Sequence, residues 1–282
     1  MARAALRAML DKHLRRPGPQ APPPAPPAAP SHVYPAIAEL LRRRETAGTP
    51  ASVDLAPYEL KVFSQNGEDG VLDEILRRIG VQDRTFVEFG AGPGVEAVAV
   101  YLADVDRWHG HFIEADPADF QALAAKYAMS SRVTTTEAFV TPDEVEALFS
   151  RLAVPDEPDL LSIDIDGHDY WVWKAISRCR PRVVVIEYNA HLGTDRLTMP
   201  RTSTPGWQGT DYFGASIGAL VDLGTEKGYR LVHCDLTGVN AFFVRDDLGG
   251  EFLPADEVTL RAPNYLLRGL RHPPGTGPWE SV

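Results

Sequence analysis

The chain has 282 residues, 44% of them hydrophobic and 24% charged, enough to bury a core of ordinary α/β size with extensions. Its formal net charge of −11 argues against non-specific binding to nucleic acid or to an anionic membrane, both of which need a basic surface. Two cysteines, Cys179 and Cys234, supply neither metal spacing nor a disulfide framework, and they read as free thiols of a cytoplasmic protein.

Residues 2–16 have the spacing of a short amphipathic helix, with Leu6, Met9, Leu10 and Leu14 on one side. Residues 17–30 are too proline-rich for helix or sheet and read as an extended linker. The 1–30 extension is expected to be flexible or to make a homo-oligomer contact. No apolar run reaches the ~20 residues of a membrane span. A helix over 33–44 opens the folded part. Within Lys61–Gly80, Ser64 to Asn66 offer helix-capping chemistry. Glu68 and Asp69 suit a first turn, and Gly80 ends the helix. Gln65 stands just before the first strand, where it can reach a ligand cleft.

Thr85–Phe89 reads as a buried strand running into glycines at 90, 92 and 94, followed by a helix over 95–103. From there strands and helices alternate: strands 109–114, 133–137, 160–165, 183–187, 229–233 and 240–244, and helices 118–129, 141–152, 170–178 and 215–227. This pattern predicts an α/β, Rossmann-like seven-stranded sheet, mostly parallel, with helices on both faces. The short connection before the last strand makes that strand antiparallel. The domain spans 31–247, with an irregular 189–214 segment as a substrate lid and a 248–282 tail packed on the surface. A loop of that length inside a compact domain is usually functional.

Ligands in such folds bind at the C-terminal strand ends. Glu88 closes the first strand and Glu114 the second, 26 residues apart. That is close to the ~20 residues expected of an acid that holds a ribose through its vicinal hydroxyls. Ala138 and Phe139 follow the third strand, where an adenine ring would rest. A dinucleotide fingerprint requires a third glycine at position 95, which is Val95. An ordinary βα turn also accounts for the glycines taken alone.

After the fourth strand Asp164, Asp166 and Asp169 crowd together, and after the fifth stand Glu187, Asn189 and His191. Asp166, Glu187 and Asn189 form a candidate Mg²⁺ set, because hard oxygen donors meet on neighbouring strand ends. Asp166, His168 and His191 are the candidate catalytic residues, a histidine taking a substrate proton. The alternatives for these positions are capping and loop structure.

The Glu88-x-Gly90-x-Gly92-x-Gly94 pattern is similar to motif I of class I S-adenosylmethionine (SAM) methyltransferases. Taken with FSQNGEDGVLDEIL, LLSIDIDGHDYWVWKAI, PRVVVIEYN and GVNAFFVR, the chain from about 62 to 245 resembles the FkbM-like methyltransferases. The resemblance implies a SAM-dependent enzyme methylating hydroxyl groups of sugars or natural products, a small-molecule acceptor. It puts SAM on Glu88, with its amino acid end, and on Gly90, Gly92, Gly94, Glu114 and Gln65; Asp164, read from its place at the fourth strand end, is a further candidate SAM contact. Asp166 is also similar to the metal-holding acid after the fourth strand in macrocin-type O-methyltransferases, while His168 departs from the expected Asn. Two rivals remain: an NAD-dependent oxidoreductase or epimerase, and a SAM-binding scaffold without catalysis.

Overall fold

The computed structural model describes residues 32–46, 53–203, 206–265 and 272–282. The 1–30 extension with its helix and linker, and Pro205 of the lid, lie outside the described residues. Its main sheet has the order β3-β2-β1-β4-β5-β8-β7. The strands are β1 (Thr85–Phe89), β2 (His109–Glu114), β3 (Val133–Glu137), β4 (Leu160–Ile163), β5 (Val183–Glu187), β7 (Tyr229–Cys234) and β8 (Asn240–Arg245). β1 to β5 pair in parallel, and β8 runs antiparallel to both β5 and β7. The Rossmann-like topology with an antiparallel final strand is therefore present as expected.

Strand alternation builds two cores. Val183 and Val185 face one side with Phe86, Phe112 and Leu160, under helices α1 (Val33–Thr46), α2 (Glu68–Ile79), α3 (Val100–Asp104) and α4 (Pro117–Tyr127). Val184 and Ile186 face the other with Val87, Ile113 and Leu161, under α5 (Val145–Leu152), α6 (Asp169–Ala175) and α7 (Ile217–Glu226). Strands β4 and β5 are buried at every residue because they are apolar on both sides, whereas the edge strand β3, VTTTE, is buried only at Val133.

Several boundaries differ from the sequence expectation, among them the helix expected over 141–152, which starts at Val145, and that over 170–178, which ends at Ala175; three others have a visible cause. The helix after the glycine loop starts at Val100, not 95, and has five residues. The reason is Glu88, whose carboxylate accepts from the Val98 and Ala99 amides and fixes a turn before the helix. β4 stops at Ile163, because Asp169 takes the amides of Ile165 and Gly167 and pulls the chain out of the ladder. Before α2, Asp69 reaches back to the amides of Val62, Phe63 and Ser64, and the cap position is Gly67 in a left-handed conformation.

The 189–214 segment pairs both with the chain that follows it, at Thr198 with Ala215, and with the tail. β6 (Leu197–Thr198) pairs with β9 (Glu280–Ser281) in a second, two-stranded sheet. Trp171 donates to the Met199 carbonyl at 2.8 Å, which ties the segment to α6, while Trp173 is core. Among the described residues no helix is long and apolar enough to cross a membrane.

Candidate active site

A cleft of about 940 Å³ opens at the C-terminal edge of the parallel strands. Gly90 and Gly92 come from the β1 loop, Ile113 to Asp116 from the end of β2, and Ala138 to Val140 from beyond β3. Asp164 to Asp166 follow β4, and Glu187 ends β5. Lys61, Gln65 and Asn66 wall it from the segment before α2, and Gly206, Trp207, Phe213 and His272 close its outer side. The strand ends converge because each parallel strand stops at the same edge and each following loop must turn away from the sheet.

The glycine loop needs glycine at one point above all. Gly90 has φ +74°, and a Cβ there would lie 1.7 Å from the Asp164 carbonyl oxygen. β1 and β4 therefore approach at their ends only without a side chain. Gly92 turns its amide to Glu114 Oε2 at 2.6 Å. The other Glu114 oxygen accepts from Ala115 and Asp116, each at 2.7 Å. Gly94 is not a lining residue; it packs on Leu123 of α4.

Glu88 corrects the sequence reading: it does not line the cleft. It is 2% exposed, its two oxygens bind Val98 N and Ala99 N at 2.8 Å each, and burial pushes its pKa up to about 7 against the opposing amides. Register explains the separation. Glu88 pairs with Phe112, two residues short of Glu114, so Glu114 lies about 7 Å nearer the sheet edge at ~3.3 Å per residue.

Asp164, Asp166 and Glu187 each bring a carboxylate oxygen within 4.8 Å of the others. Asp164 thus stands where the sequence suggested Asn189. The Asn189 side chain is used elsewhere: its amide nitrogen donates to the carbonyls of Asp211 and Phe213 at 2.9 Å, and its oxygen accepts from His191 N. Asp164 is pushed well above the carboxylate range, first by burial and then by the charges of Asp166 and Asp169. Asp166 opens to the cleft, yet the protein packed around it raises its pKa, with Glu114 adding to the rise and His272 opposing it. Asp166 also has φ +57°, a left-handed conformation that costs a non-glycine residue about 1–2 kcal/mol.

Two expected catalytic residues are not in the cleft. His168 is 5% exposed and its Nε2 lies 3.1 Å from Ser203 Oγ, so it ties the start of α6 to the 189–214 segment. His191 contacts the Tyr265 hydroxyl at 2.9 Å. Trp207 and His272 were not singled out from sequence as site residues. Their rings pack at a tilt of 52°, with centroids 4.8 Å apart, on the wall of the cleft, although 65 residues of chain separate them. Phe139, half exposed, and Ala138 and Val140 give the β3 end an apolar platform.

No protein-family model matches the sequence, and no curated protein does. Among solved structures, the chain is similar to the precorrin-6y C5,15-methyltransferase of Geobacter metallireducens GS-15, at 17% identity over 62% of this chain and 86% of that one, with a TM-score of 0.39. It is also similar to the N-terminal domain of EvdMO1 with S-adenosylhomocysteine (SAH) bound, at 13% identity over 79% and 100%, TM-score 0.44. A third is the Methanococcus jannaschii fibrillarin pre-rRNA processing protein, at 12% over 64% and 77%, TM-score 0.43. Likeness at this level carries no argument about function, which rests on the geometry above.

Proposed function

We propose that the protein is a SAM-dependent methyltransferase that methylates a hydroxyl group of a small molecule. One observation carries the reading: the place where a pyrophosphate would bind is filled by an acid. In a dinucleotide fold the amides at the start of the helix after the glycine loop receive phosphate. Here the amides of Val98 and Ala99 already hold the Glu88 carboxylate. The cleft beside it is lined by Glu114, Asp116, Asp119, Asp164, Asp166 and Glu187. Its lining cation Lys61 is paired with Glu96 at 2.7 Å. Coulomb repulsion disfavours a ligand with two phosphates there and favours one whose charge is net positive. SAM carries an ammonium, a sulfonium and one carboxylate.

The residues present fit such a ligand. The open space at Gly92 lets a ligand lie against the backbone. Glu114 retains one lone pair, on Oε2, to accept from a ribose hydroxyl, its other three being taken by the amides of Gly92, Ala115 and Asp116. Phe139 and its apolar neighbours suit a flat base. Asp164 offers an acceptor for an ammonium. When bound, the sulfonium supplies an already activated methyl group. The chain's own residues then align an acceptor oxygen in line with it and receive the acceptor's proton.

A divalent cation is a second component favoured by a specific arrangement, the three carboxylates of Asp164, Asp166 and Glu187. Their chemistry fits a hard ion such as Mg²⁺, which would hold and acidify an acceptor hydroxyl.

Isothermal calorimetry with SAH tests the main reading: binding in the micromolar range is expected. Absence of heat at high micromolar SAH, with folded protein and with NADH binding by fluorescence, would replace it with the oxidoreductase.

A further inference from the structure

The structure assigns a catalytic role to the C-terminal segment. We infer that His272, carried into the cleft by the strand-paired tail, faces the methyl-donor end of the bound nucleoside and takes the acceptor's proton. The inference rests on the methyltransferase reading.

From Pro273 to Val282 the tail is attached to the 189–214 segment. Asp211 N donates to Pro273 O at 3.0 Å, and Gly275 N donates to Asp211 Oδ1 at 2.5 Å. Tyr212 donates to Pro278 O at 2.6 Å and packs its ring 4.7 Å from that of Trp279. Beyond these, β9 pairs with β6 and Val282 N donates to Arg196 O. Glycine at 275 and 277 permits the contact, because a Cβ at either would lie 2.4 or 2.2 Å from the Tyr212 side chain. This much ordering of a chain end needs a gain to offset its lost conformational entropy, about 1–2 kcal/mol per residue. Its inner end places a histidine in the cleft.

His272 is the histidine among the described cleft-lining residues. Its ring packs at a tilt against Trp207, centroids 4.8 Å apart. Asn189, two residues past β5, donates to the Asp211 carbonyl at 2.9 Å, and Asp211 N donates to Pro273 O at 3.0 Å, so the chain that carries His272 enters from the β5 side of the cleft and not from the β3 platform where a base would lie. A neutral imidazole within reach of an acceptor is a suitable proton acceptor near neutral pH. The step balances within the site. The acceptor oxygen forms a bond to the methyl carbon, the carbon–sulfur bond breaks with its electron pair left on sulfur as a neutral thioether, and the hydroxyl proton passes to the His272 imidazole.

The test needs no acceptor. Full-length protein with ¹³C-labelled histidine is observed by heteronuclear NMR at one pH, with the His272 resonance identified by its loss in His272→Gln. SAH and sinefungin share the nucleoside and amino acid ends and differ at the methyl position, where sinefungin carries an amine. The His272 resonance is expected to differ between the two complexes by more than those of His109 and His233, which lie away from the cleft. A His272 resonance that is the same in both complexes, while other signals report binding, overturns the inference and leaves the methyltransferase reading standing. If neither ligand moves any resonance, the cofactor reading fails and the inference with it. Calorimetry of His272→Gln with SAH completes the test: affinity within about threefold of wild type is expected of a residue at the acceptor side. A loss above tenfold in a folded variant overturns the assignment by making His272 part of the nucleoside site.

Discussion

Glu114 and Gly92 are joined by a hydrogen bond of 2.6 Å from the glycine amide to the carboxylate, so the end of β2 sets the conformation of the loop after β1. The same carboxylate also holds Ala115 and Asp116. Glu114→Ala leaves three amides without their charged acceptor, each such bond being worth about 1.5–3 kcal/mol. SAH affinity should fall at least about tenfold by calorimetry, for a factor of ten corresponds to about 1.4 kcal/mol. Unchanged affinity would remove Glu114 from the ligand site.

Gly90→Ala should be poorly tolerated. The new methyl would overlap the Asp164 carbonyl, and φ +74° disfavours any L side chain. A loss above about 3 kcal/mol is expected, which for a domain of this size lowers Tm by roughly 6–12 °C. Differential scanning calorimetry measures it directly.

The pH dependence of stability should bear the mark of buried acids. Glu88 is raised by burial to about 7, and Asp69, Asp169 and Asp235 to about 6, each from an ordinary carboxylate value. A raised folded pKa means that the folded state holds protons the unfolded chain has released. Below the unfolded pKa no penalty applies; it grows as pH rises and is complete above the folded value. For Glu88 it is on the order of 3 kcal/mol. Thermal stability should therefore decline between about pH 5 and pH 7.5. Glu88→Gln should flatten that decline while losing one of the two amide bonds. A variant with the wild-type slope would show that Glu88 does not titrate in this window.

Metal binding can be read without turnover. Protein treated with EDTA should gain thermal stability on addition of Mg²⁺, by mass action on the folded state. The double variant Asp166→Asn, Glu187→Gln should lose that gain. No gain in the wild type at millimolar Mg²⁺ would leave the three carboxylates to the organic ligands.

Gly277→Val should lift the tail from the lid, since even a Cβ there would lie 2.2 Å from Tyr212. Hydrogen exchange over 206–214 should rise, with little change in the sheet. Equal exchange in the two proteins would mean that the lid holds itself.

The sequence made the sheet legible. Strand β1, β2, β3 and β5 limits follow from apolar runs and turn residues, which are local properties. Glu114 and the Gly90–Gly92 loop were legible because both stand at the C-terminal ends of parallel strands, the edge where the cleft opens. The cluster of Asp166 with Glu187 was visible for the same reason. Glu88, Asn189, His168 and His191 were misplaced. Each stands in sequence beside a strand end, but backbone amides, carbonyls or a hydroxyl claim it in space. Residue type and spacing fix which groups reach a strand end, because the period of a strand is local. Which of them then faces the cleft depended on contacts such as Glu88 with Ala99, and the outer wall depended on a tail that returns from residue 272 to meet Trp207. Such long-range pairings are selected by packing and hydrogen bonding of the whole chain, and only the tertiary structure decides them.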